Sequence, residues 1–134
     1  EQMIIEAKKR GQYDNLTFET ADATALSYVN EKFDCVLISN ALHIMPKPDW
    51  AMKEIHRVLK ANGILFAPTF LWKEGKERKI KKTLMSTFGF KMYQEWNKEQ
   101  FEKFVEEQGF SVVEMNLLYG ALAPIGVLIA EKVS

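Results

Sequence analysis

The segment from Phe33 to Pro68 limits the fold more than any other part of the chain. FDCVLIS, Phe33 to Ser39, is an almost unbroken apolar run, as expected of a strand covered on both faces of a parallel sheet. Pro48 to Lys60 reads as a helix. Pro48 suits the first turn and Asp49 the positive end of the helix dipole. Ala51, Ile55, Val58 and Leu59 form its buried stripe, and Asn62-Gly63 ends it. ILFAP, Ile64 to Pro68, is a second short apolar strand. Strand, helix and strand in this order predict a parallel pair joined by a right-handed crossover.

The flanking segments extend the α/β pattern. EQMIIEAKKRG opens helical, with Met3, Ala7 and Arg10 on one stripe and Gly11 as the stop. LTFET, Leu16 to Thr20, alternates apolar and polar residues and predicts a strand, with ADATAL as the loop after it. Residues 73 to 90 predict an amphipathic helix, with Ile80, Leu84 and Phe88 spaced four apart. From Asn97 to Gln108 the helix signal is sharper: Asn97 can cap, Gln100 can return the bond, and Phe101, Phe104 and Val105 face inward. FSVVEMNLLYG and GVLIAEKV then close the chain as two strands, and their short link implies an antiparallel pair. At 134 residues, all of this fits one domain.

Composition removes several classes of function. Lys+Arg and Asp+Glu both number 18, so no net charge favours nucleic acid or an anionic membrane. No apolar run approaches the roughly 20 residues of a membrane span. Cys35 is the single cysteine, which excludes an internal disulfide and fits a reducing cytoplasm. His43 and His56 have no acidic partners at ligand spacing, so no metal site is expected. Residues 73 to 82 carry six basic and two acidic residues, the pattern of a solvated helix face.

Three stretches together carry a resemblance: TADATAL, FDCVLISNALHIMPKPDWAMKEIHRVLKANGIL, and the final helix with its two strands. They resemble the class I S-adenosylmethionine-dependent methyltransferases, of the small-molecule, methyltransferase type 11-like kind. RVLKANG before a strand is the most specific piece, close to the family's RVLKPGG; Asn62 is read at the place of the family's proline, and asparagine also tolerates the turn. The resemblance implies a Rossmann-like methyltransferase sheet with an antiparallel C-terminal strand pair. It also implies that the first two strands, the glycine-rich turn and the ribose-binding acid are missing from this chain, since no two of the seven glycines stand as G-x-G. The run FDCVLIS would then lack a neighbour and form an open apolar edge, through which the chain could dimerise.

Cofactor and substrate expectations follow from the same resemblance. It implies S-adenosylmethionine as cofactor and a small-molecule methyl acceptor, with residues 70 to 96 as a lid over the substrate pocket; Trp72, Phe88, Phe90, Tyr93 and Trp96 read either as its aromatic wall or as ordinary core packing. Asp22 would accept from the adenine amino group and Ala23 N–H would serve a ring nitrogen; Asp22 also reads as an ordinary turn residue. Asn40 and Ala41 would lie beside the methionine part of the cofactor. That placement explains why an apolar strand ends in Ser39-Asn40: strand tips face ligands in open α/β sheets. His43 stays open between a base or substrate-orienting group and a packing residue. His56 lies off the apolar stripe and reads as surface. A second reading of the whole chain is a non-catalytic fragment that holds its place by strand pairing and does not bind cofactor alone.

Overall fold

Backbone pairing organises the chain around a four-stranded mixed sheet. The computed structural model describes every residue except 12, 73–92 and 120–123. Its elements are α1 (Gln2–Arg10), β1 (Phe33–Leu37), a single 3-10 turn (Leu42–Ile44), α2 (Pro48–Val58), β2 (Leu59–Phe70), α3 (Lys98–Glu107), β3 (Phe110–Tyr119) and β4 (Pro124–Lys132). The strand order is β1-β2-β4-β3. β1 and β2 are parallel; β4 is antiparallel to both β2 and β3. The expected α/β class, the parallel pair and the antiparallel closing pair are all present.

The core lies where α2 and α3 cover the sheet. All four stripe residues of the Pro48–Lys60 segment are buried, and Met52 joins them. Leu59, however, already begins β2. The α3 capping box forms in full: Asn97 Oδ1 accepts from Gln100 N at 2.8 Å, and Asn97 N donates to Gln100 Oε1 at 3.0 Å. β2 enters the sheet through a bulge. Phe33 is opposite Leu59 but Cys35 is opposite Ile64. Asn62 has φ 59°, the left-handed conformation that asparagine tolerates. Letter by letter, Ala61 takes the proline place of RVLKPGG, and Asn62 the first glycine. A Cβ on Gly63 would stand 2.9 Å from Lys60 O and 3.3 Å from Asp34 O, both fixed backbone atoms, so this position needs glycine.

Several expectations are corrected. Leu16–Thr20 is not a strand: alternation alone does not hold a strand without a neighbouring backbone to bond. β1 is not covered on both faces. On one face Cys35 is exposed and Leu37 is 66% exposed, and at its outer edge β1 pairs with no strand among the described residues. The open edge expected from the resemblance is therefore present. No residue of α1 is buried, and Gly11 is extended, so its conformation does not require glycine. His56 does lie off the buried stripe and is half-exposed; its ring meets Phe110 edge-on at 5.4 Å, and Nε2 lies 3.2 Å from Val133 O. The expected helix over 73–90, Phe88 and Phe90 lie outside the described residues. No helix among the described residues is long and apolar enough to cross a membrane.

Candidate functional site

The tips of the parallel strands β1 and β2 set the site. Beyond β1 the ladder runs on: Ile38 N donates to Phe66 O and Asn40 N to Pro68 O. At Asn40 the backbone turns left-handed, φ 50°. Ala41 is half-buried and leads into the 3-10 turn, which folds Leu42 and His43 into the core. Asn40 Oδ1 is buried and has no hydrogen-bond partner among the described residues. A buried acceptor without a partner costs about 1–3 kcal/mol.

Asp22 and Ala23 stand in the loop before β1. Asp22 Oδ1 accepts from Thr24 N at 2.8 Å and from Thr24 Oγ1 at 2.7 Å. These bonds, side chain first, hold the carboxyl below its ordinary range, so it stays an ionised, acceptor-only group. Residues 20–24 and 45–47 line one cavity of about 780 Å³. The fold thus joins Asp22 and Ala23 to the chain that leaves the 3-10 turn. Asn40 and Ala41 do not line this cavity.

His43 is 4% exposed. Its Nδ1 lies 3.2 Å from Thr69 Oγ1, and its ring meets Phe70 edge-on at 5.4 Å. Burial lowers its pKa, so the ring is neutral at neutral pH. Its carbonyl accepts from Tyr93 N and Gln94 N, and Trp72 N donates to Trp96 O. Both described ends of residues 70–96 are therefore tied beside the site. Trp96 packs on Phe101 and Phe104, so this member of the expected aromatic wall is core packing. Among the described residues no group of three His, Cys, Asp or Glu could hold a metal ion.

One ion pair beside the site is not announced by the sequence. Arg57 uses all five guanidinium N–H groups. Nε donates to Glu54 Oε1 (2.8 Å); Nη1 donates to Tyr28 O (2.7 Å) and Asn30 Oδ1 (2.9 Å); Nη2 donates to Leu26 O (2.9 Å) and Glu54 Oε2 (2.8 Å). Glu54 Oε2 also accepts from Leu26 N at 2.8 Å. The last turns of α2 therefore grip the loop that starts at Asp22.

This grip has a pH signature. The Arg57 hydrogen bond lowers the Glu54 carboxyl from 4.5 to about 2, with a smaller contribution from Leu26 N. A carboxyl depressed in the folded state stabilises the protein above its unfolded pKa, and that stability is lost as pH falls from about 4.5 towards 2. Thermal melts across this range should show a steeper acid loss for the parent than for Glu54→Gln. Equal slopes would remove Glu54 as the cause.

The sequence profile described as a methyltransferase domain matches residues 1–67. The ubiquinone/menaquinone biosynthesis C-methyltransferase UbiE of Allorhizobium ampelinum is 41% identical over 64 residues, which are 48% of this chain and 25% of that protein. The matched segment thus spans a quarter of that curated relative's length. A chain of the solved complex between the Haloferax volcanii Trm112 methyltransferase activator and a methyltransferase-like protein superposes with a TM-score of 0.82 at 14% identity, covering 99% of this chain and 68% of that one. A SAM-dependent methyltransferase from Methanosarcina mazei gives a TM-score of 0.76 at 17% identity, covering 98% and 78%.

Proposed function

The chain belongs to the methyltransferase-domain family, and from that premise we propose that it binds S-adenosylmethionine and transfers its methyl group to a small molecule. The observation that carries the cofactor reading is Asp22. One carboxylate oxygen is held by Thr24, while the other has no partner among the described residues and belongs to a residue lining the 780 Å³ cavity. An ionised carboxylate suits an exocyclic amino donor, and Ala23 N–H beside it suits a ring nitrogen. The cofactor supplies a sulfonium-bound methyl group. The chain supplies orientation and exclusion of water, for which no single side chain is essential.

Isothermal titration tests this reading. Micromolar binding of S-adenosylmethionine or S-adenosylhomocysteine is expected, weakened about tenfold or more by Asp22→Ala, or about 1.4 kcal/mol. Absence of binding would leave the rival reading, a methyltransferase-fold fragment that does not bind cofactor alone. The name of the Allorhizobium relative makes carbon methylation of a quinone-type ring the first acceptor chemistry to assay.

The open edge of β1 supports a proposal about partners. Ile38 and Asn40 direct their N–H groups to β2, so by alternation Cys35 and Leu37 direct theirs away from it. With exposed Leu37 beside these donors, the edge suits pairing with β1 of a second copy. Light scattering should then give a dimer; a stable monomer excludes the pairing.

A further inference from the structure

We infer that Thr69 is a positioning residue that fixes the tautomer of His43, so that His43 presents Nε2–H as a donor and does not serve as a base. The inference rests on the reading that the β1 and β2 tips form the active site. Thr69 lies in β2 opposite Gly126 of β4 and is 1% exposed. His43 Nδ1 is the sole partner of its hydroxyl among the described residues.

Proton accounting gives the direction of the bond. A neutral imidazole has one N–H and one acceptor nitrogen. If Nδ1 carried the proton, it would donate to Oγ1, and the hydroxyl proton of Thr69 would be buried with no acceptor. If Thr69 donates instead, its hydroxyl and Nδ1 are both satisfied, and the imidazole proton sits on Nε2, which is not among the fully buried atoms without a partner in the described residues. The second arrangement avoids the cost of an unused buried donor. Nδ1 is then occupied, and Nε2 already holds a proton. The ring can donate one hydrogen bond to an oxygen or nitrogen of a bound ligand. It has no free lone pair with which to take a proton from an acceptor.

The tautomer is read directly by long-range ¹H–¹⁵N NMR of labelled protein at neutral pH. His43 should show one protonated nitrogen, Nε2, with His56 as the internal reference. Thr69→Val removes the hydroxyl at nearly constant shape and should replace this single pattern with a mixture of tautomers, while Thr69→Ser should restore it. An Nδ1–H pattern in the parent, or an unchanged pattern in Thr69→Val, would overturn the assignment. A loss of fold in Thr69→Val would appear as a lowered melting temperature; the Ser variant and the parent spectrum still decide the case. The readout needs no cofactor. An Nε2–H tautomer in a protein that binds no S-adenosylmethionine would overturn the cofactor reading and leave the Thr69 assignment standing.

Discussion

Replacing Arg57 with alanine is expected to lower the melting temperature and to weaken cofactor binding at least tenfold. The two effects have one origin. Alanine removes five hydrogen bonds at once and leaves Glu54, the carbonyls of Leu26 and Tyr28, and Asn30 Oδ1 without their donor. The Arg57 and Glu54 side chains are only 29% and 19% exposed, so water replaces these bonds poorly. The loop that starts at Asp22 keeps Leu26 N on Glu54 Oε2 but loses the Arg57 bonds to Leu26, Tyr28 and Asn30, so the Asp22 carboxylate is held less firmly over the cavity. Exposed pairs such as Lys9–Glu6 contribute far less, because solvent screens them on every side.

Arg57→Lys separates charge from geometry. Lysine keeps the positive charge but has three donors at one point instead of a planar fork. It cannot reach Glu54, Leu26, Tyr28 and Asn30 together, so most of the loss should persist. Thermal melting and isothermal titration check both variants. Parent-like melting of Arg57→Ala would show that the loop holds without the grip.

Contacts local in sequence were readable from residue pattern, and contacts across the chain were not. The α2 stripe and the α3 capping box involve residues three or four apart, and both formed as expected. RVLKANG stands out as a motif, yet the partners of Arg57 at Leu26, Tyr28 and Asn30 lie 27 to 31 residues away. Nothing in the local pattern announces them. Cys35 shows the converse: its apolar surroundings implied burial, but burial of a strand face depends on what lies beside it. LTFET carried the right alternation and lacked the neighbour. For the site, Asp22, Ala23, Asn40, Ala41 and His43 came from resemblance and strand-tip reasoning. The Thr69 contact joins two segments 26 residues apart and needed the fold.

Phe101→Ala is expected to cost about 3–5 kcal/mol, a large part of the 5–15 kcal/mol typical of a domain. Phe101 is fully buried in α3 and belongs to the core that joins the helix to the sheet. Its ring lies 5.3 Å from that of Trp96, which stacks at 4.6 Å on Phe104. Truncation removes the transfer free energy of the ring and leaves a cavity that a helix anchored at both sides cannot close. Phe101→Leu keeps much of the volume and should cost clearly less than the alanine change. In urea, the midpoint should fall for both variants, further for alanine, with the slope unchanged. The damage should also reach the site. Trp96 O holds Trp72 N, so a loosened Trp96 frees one end of residues 70–96 beside His43. Hydrogen exchange at Trp72 N should therefore accelerate in Phe101→Ala more than at Ile38 N, which bonds within the sheet. Equal acceleration at both would mean that the core fails as one unit, with no preferential route from Phe101 to the site.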